Sequence, residues 1–228
     1  MHRAPISPTS AVAHLSDQDL ASRIAQRDDH AFEMVMRRHN RMLYRIARSI
    51  LRDDADAEEA LQEAYLAAYR NIAAFRGAAK LSTWLARIVI NESYARLRKR
   101  KPAVVVSFDA SALSVTEVEA VSDESERPDM AAMRAELRTL LVRKIDELPE
   151  QFRTVFVMRD VEELSVEEAA VCLDLPEATV RTRAFRARAL LRESLAREVD
   201  VATVSAFGFD GDRCDRIVRL VLEKLRQP

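Results

Sequence analysis

Only three glycines, Gly77, Gly208 and Gly211, occur in 228 residues. Tight hairpins need positive-φ residues, usually glycine, so a chain this poor in glycine is a poor candidate for a β-rich fold. Phosphate-cradling loops and dinucleotide turns need several glycines close together, and no such cluster exists. With 48% apolar and 32% charged residues, the chain is nevertheless an ordinary globular one. These constraints predict an all-α protein.

The apolar periodicity agrees. Phe32, Val35, Met36, Leu43, Ile46, Ala47 and Ile50 recur at helical spacing and predict a long amphipathic helix over 30–51. A shorter helix, Asp17–Gln26, precedes it. The run Arg52-Asp53-Asp54-Ala55-Asp56 breaks the pattern and offers an N-cap to a helix reaching about Phe75. After the break Arg76–Leu81, a fourth helix starts near Ser82 and ends in a basic cluster. Residues 102–131, bracketed by Pro102 and Pro128, lack this period and read as a flexible acidic linker. Helical period resumes near Met130 and runs to Leu148. Pro149 fits the first turn of the next helix, which carries Phe152, Val155, Phe156 and Arg159. Ser165-Val166-Glu167-Glu168 is a capping-box pattern for a short helix to Leu173, and Asp174-Leu175-Pro176 turns into a last long helix, Glu177–Arg197. Short helix, turn, long helix is the layout of a helix-turn-helix. The expected organisation is a disordered tail (1–16), a helical domain (17–101), the linker (102–131), a second domain with the helix-turn-helix (132–198) and a C-terminal extension (199–228). In the extension, residues 200–211 read as irregular, and Cys214, Ile217, Val218, Val221, Leu222 and Leu225 then form one apolar stripe.

Several classes are disfavoured. Cys172 and Cys214 form no C-x-x-C pair, and all four histidines lie before residue 40, away from both. Neither a disulfide framework nor a zinc site is expected. No run of about 18 apolar residues would cross a membrane, and the N-terminus does not read as a signal peptide. A cytoplasmic protein without membrane insertion or cofactor is expected. No convergent Ser/His/Asp or paired-carboxylate constellation suggests an enzyme.

A net charge of −1 conceals strong segregation. Residues 82–101 carry +5, residues 102–130 carry −6, and residues 176–198 carry +3 from six arginines and three glutamates. In the last of these, Val180, Ala184, Ala187, Leu191 and Leu195 share one helical face, and Thr182, Phe185 and Arg186 lie opposite, flanked by Arg181 and Arg188. A recognition helix reads base edges with its N-terminal half while neighbouring cations hold phosphates. Arg186 suits guanine O6 and N7, and Phe185 suits a thymine methyl. A run of arginines can also be a solvated face, but such a face gains nothing from an exposed phenylalanine.

Two stretches carry a specific resemblance. LPEQFRTVFVMRDVEELSVEEAAVCLDLPEATVRTRAFRARALLRE (148–193) resembles region 4, the promoter −35-reading domain, of bacterial sigma factors. DADAEEALQEAYLAAYRNIAAFRGAAKLSTWLARIVINESYARLRKR (54–100) resembles region 2 of the extracytoplasmic-function group of the sigma-70 family. The resemblance implies that Asp56, Glu58, Glu59, Gln62 and Glu63 dock on the clamp helices of the largest RNA polymerase subunit, with the flap of the second-largest subunit a further contact. It implies −10 recognition by Phe75, Arg76, Lys80, Ser82, Thr83, Trp84, Arg87 and Asn91, through capture of a flipped base. Trp84 fits a core position as well as a base platform, so the prediction rests on the loop as a unit. For the −35 element it implies Arg159, Arg181, Thr182, Phe185 and Arg186. Asp174 and Ala178 stand where many relatives have glycine. The implied partners are RNA polymerase core, promoter DNA and an anti-sigma factor. The expected function is an alternative sigma factor directing polymerase to −35 and −10 elements and initiating DNA opening. A stand-alone helix-turn-helix regulator is the competing reading, and residues 54–101 separate the two, because such regulators lack that segment.

Overall fold

The computed structural model describes residues 15–100, 128–206 and 211–225. Residues 102–127 of the expected linker and most of the N-terminal tail lie outside the described residues. The fold among those residues is all helical: α1 (Asp17–Ala25), α2 (Asp29–Leu51), α3 (Asp54–Arg70), a 3-10 turn (Ile72–Ala74), α4 (Leu81–Arg100), α5 (Pro128–Glu147), α6 (Glu150–Phe156), α7 (Val166–Leu173), α8 (Glu177–Ala206) and α9 (Gly211–Leu225).

Local chemistry fixes most of the boundaries. Ser16, Asp28 and Asp53 each accept a backbone N–H in the first turn of α1, α2 and α3, satisfying donors that the helix leaves orphaned. Ser165 and Glu168 form a complete capping box at α7. Helix α2 ends with Arg52 at φ 59°, and α7 ends with Asp174 at φ 54°. Asp174 thus takes the left-handed conformation that explains why glycine is common there, and aspartate tolerates it better than most residues.

Four boundaries differ from expectation, the first being α5, which starts at Pro128, inside the expected linker 102–131. Helix α3 stops at Arg70, and the 3-10 turn Ile72–Ala74 carries the chain to Phe75. Pro149 is the N-cap of α6 at ψ 140°, outside the helix, and α6 runs into a wider π-type turn over Val157–Val161. Helix α8 continues to Ala206, where residues 200–206 read as irregular. The short β-branched run Val199–Val204 has no strong local period, so continuation of an established helix decides it.

Residues up to Arg188 form one compact unit. Its core comprises Leu20 and Ile24 of α1, Val35, Leu43, Ile46 and Ile50 of α2, Leu61 and Tyr65 of α3, and Leu85 and Val89 of α4. Each such aliphatic side chain contributes roughly 1.5–3 kcal/mol on burial. The core continues into Val155, Met158, Ala169, Cys172, Val180 and Ala184. Helix α6 packs on α2, and α7 packs on α4. Polar ties accompany this packing. Arg48 Nη2 lies 2.9 Å from Asp146 Oδ2, Arg45 Nη1 2.8 Å from Glu162 Oε1, and the buried Arg153 donates through Nε to the carbonyl of Ser49. A second unit, Ala189–Pro228, holds the end of α8 and α9. Of the expected α9 stripe, Ile217, Val218 and Val221 are each about half exposed.

Candidate nucleic-acid interface

Helix α8 divides its faces as the sequence predicts. Val180, Ala184, Ala187 and Leu191 are buried. Arg181, Thr182, Phe185 and Arg186 are exposed, Phe185 at 72%. Phe185 thus leaves a large apolar side chain open to water among arginines. Arg181 is held by Glu177 one turn back at 2.5 Å, and Arg188 by Asp160 at 2.7 Å. Arg186 and Phe185 lie between them. Arg159, from the turn after α6, is half-buried and donates to the carbonyl of Leu164, so its guanidinium is engaged in holding the turn before α7.

The second candidate surface is the loop ahead of α4. Arg76, Gly77, Ala78, Ala79 and Lys80 are all exposed, between buried Phe75 and buried Leu81. Arg87 and Asn91 are exposed further along α4. Ser82 and Trp84 are half-buried, and Trp84 packs its ring 5.8 Å from that of Phe75. Thr83 is only 3% exposed, and its carbonyl receives the Cys172 thiol of α7 at 3.5 Å. The predicted set is thus brought together as a cluster, but Phe75 and Thr83 line its inner side and the exposed cations its outer side. Lys80 Nζ lies 2.8 Å from Glu168 Oε1. The Lys80 ammonium beside it, and then the Ser165 backbone N–H, hold the Glu168 carboxyl below its usual range. Burial pushes the Cys172 thiol up to about 12, which leaves it protonated and unreactive.

The acidic set lies on α3. Glu58, Glu59, Gln62 and Glu63 are exposed, whereas Asp56 is half-buried and receives Arg96 Nε at 2.9 Å. Arg96 also pairs with Glu59, so one α4 arginine fastens two of the five candidates. Leu66, 49% exposed, was not singled out by the sequence reading. Its signal was there: it falls at i+7, i+4 and i+3 from Glu59, Gln62 and Glu63, opposite the buried stripe Leu61, Ala64, Tyr65 and Ala68. Leu66 therefore stands as an exposed apolar residue within an otherwise acidic face.

Among the described residues no helix is long and apolar enough to cross a membrane, and no group of His, Cys, Asp and Glu is arranged to hold a metal ion.

A helix-turn-helix with an exposed arginine and phenylalanine face, accompanied by a basic loop and helix, has the composition of a nucleic-acid-binding protein. Comparison with known proteins specifies which. Residues 35–102 match the family model for Sigma-70 region 2, and residues 138–191 match that for Sigma-70, region 4. The ECF RNA polymerase sigma-E factor of Escherichia coli K12 is 34% identical over 180 residues, 76% of this chain and 91% of that protein. The RNA polymerase sigma-H factor of Pseudomonas aeruginosa is 32% identical over 183 residues, 78% of this chain and 93% of that protein. Among solved structures, CnrH in complex with the cytosolic domain of CnrY has a TM-score of 0.57 at 25% identity, covering 79% of this chain and 97% of that one. RpoE from Bartonella quintana, in complex with the anti-sigma factor NepR, shares the fold at a TM-score of 0.54 and 21% identity, covering 72% and 96%. The chain belongs to the sigma-70 family, in its extracytoplasmic-function group. It is an alternative sigma factor, which directs RNA polymerase to specific promoters. A stand-alone regulator would leave the match over residues 35–102 without explanation.

Proposed function

We propose that α8 reads the −35 element through Arg181, Thr182, Phe185 and Arg186, with Arg159 supporting the turn that presents α7. The observation that carries this is the 72% exposure of Phe185 between arginines, on the face opposite a fully buried stripe. The loop Arg76–Lys80 and the start of α4 receive the unpaired −10 strand. Arg76, Lys80 and Arg87 hold its phosphates, Asn91 and Ser82 supply hydrogen bonds, and Trp84, half-buried beside Phe75, offers a ring face for stacking, worth about 1–3 kcal/mol per base. Thr83 acts from the inner side by fixing the helix start. The acidic face Glu58, Glu59, Gln62 and Glu63, centred on Leu66 and braced through Asp56, docks on the clamp helices of the polymerase largest subunit, and the helix-turn-helix part meets the flap of the second-largest.

The protein performs no chemistry itself; nucleotidyl transfer belongs to the core enzyme, in the cytoplasm. An anti-sigma factor is a further partner on the family resemblance, and the relative CnrH has been seen held by the cytosolic domain of CnrY. Footprinting of the reconstituted holoenzyme tests the assignment. Arg186→Ala should remove protection at the −35 element while leaving core affinity unchanged, and Glu63→Arg should do the reverse. Loss of both properties in either variant would refute the division of roles.

A further inference from the structure

We propose that Asp17 is a positioning residue for promoter opening, because α1, which precedes the residues matching the region 2 model, sets the conformation of the −10 loop. The proposal rests on the reading of residues 76–84 as the −10 site. Helix α4 begins at Leu81, and the residue before it is Lys80, whose side chain accepts no hydrogen bond. The capping acceptor that α1, α2, α3 and α7 find in the preceding residue is therefore missing here, as it is at α6, whose N-cap is Pro149. It is supplied from 64 residues away: Leu81 N–H donates to Asp17 Oδ2 at 2.7 Å. Asp17 is not needed for its own helix, which Ser16 already caps through Asp19 N–H.

The neighbouring residue holds the other limb of the loop. Gly77 has φ +71°, and a Cβ at that position would stand 2.7 Å from Gln18 Oε1. The loop backbone thus lies against α1 at Gly77 and is tied to it again at Leu81, with Ala78, Ala79 and Lys80 exposed between. Because Asp17 carries charge, it also complements the positive end of α4. Without it, the first turn of α4, with Ser82, Thr83 and Trp84, loses its anchor, and the strand-capturing loop must be ordered at the moment of binding. That cost falls on DNA opening and not on −35 binding or core binding, which use α8 and α3.

The test uses full-length protein assembled with core polymerase on a promoter that the wild-type holoenzyme opens, with open complex read by permanganate reactivity of −10 thymines. Asp17→Ala should lower the open-complex yield about fivefold, the change that loss of one helix cap of ordinary strength produces. Asp17→Glu should restore it, Asp17→Asn should fall between, and on a template with a pre-unpaired −10 segment the deficit should persist, since capture and not melting is impaired. Core affinity, −35 duplex binding and the thermal melting point should stay near wild type for Asp17→Glu and shift little for Asp17→Ala. An Asp17→Ala protein that opens promoters as wild type does overturns the proposal. So does one that loses core binding and −35 binding equally, which would make the contact structural only. If the wild-type holoenzyme opens no promoter at all, the −10 reading itself fails, independently of Asp17.

Discussion

Arg153 is the most demanding test of the packing between the two matched regions. Its side chain is 3% exposed, yet it carries a charge, and burial holds its pKa below the usual arginine value. Three backbone carbonyls receive it: Ser49 at 2.5 Å from Nε, and Asp146 at 3.1 Å and Leu148 at 2.8 Å from Nη1. Ser49 belongs to the last turn of α2, whose final carbonyls have no helical partner. Replacement by alanine leaves three acceptors short of a donor, two of them buried and the Asp146 carbonyl partly so. At about 1–3 kcal/mol for each group left unsatisfied, less the relief of no longer burying a guanidinium, the net loss should be about 3 kcal/mol. Urea denaturation followed by circular dichroism would show this as a midpoint shift of about 1 M at a slope near 3 kcal/mol per M. Arg153→Lys retains charge without the planar fork and should recover only part of the loss. A change below about 0.5 kcal/mol for Arg153→Ala would refute the claim that this arginine joins α6 to α2, since that is the range of an ordinary surface substitution.

Phe185→Ala should leave the unfolding free energy within about 0.5 kcal/mol of wild type, because the ring is exposed, while weakening −35 binding by about 1–3 kcal/mol in an anisotropy titration with holoenzyme. Burial holds His39 below the ordinary imidazole value, Arg38 adds to this and Asp17 opposes it, and His39 Nε2 has no hydrogen-bond partner. The unfolded chain therefore takes up a proton that the folded one resists, so stability should be complete above about pH 6.5 and decline as pH falls below it. Thermal melts from pH 8 to 5 should show this slope, and His39→Gln should flatten it. Cys172 should resist alkylation by iodoacetamide at pH 8 in the native protein and react fully in denaturant. Glu168→Gln should weaken the tie to Lys80 and lower stability only slightly, since Lys80 is exposed and the pair is screened by solvent, as read in a urea titration.

Glycine scarcity and apolar period made the helices legible, and the buried face of α8 follows from the spacing of Val180, Ala184, Ala187 and Leu191, while Leu195, predicted on the same face, is only half-buried. The helix ends were less so. At α3 the apolar pattern continues through Ile72 and Phe75, so periodicity alone does not reveal that the chain tightens into a 3-10 turn. The roles of Asp17 and Arg153 were not readable either. Both act across long separations, 64 and 104 residues, on backbone atoms, and a backbone carbonyl or N–H has no residue-type signature. For the same reason the sequence does not tell that Thr83, a polar residue among predicted DNA contacts, is covered by α7. Leu66 was the opposite case, visible as an apolar residue on an acidic face but obscured by the strong acidic pattern around it.

The most direct measurement of the central claim is run-off transcription from a fragmented genomic template, with purified protein added to bacterial core polymerase. The account predicts new, discrete start sites that appear only with the protein and vanish with Arg186→Ala. Tight DNA binding in the absence of core, with no redirected initiation in its presence, would contradict it.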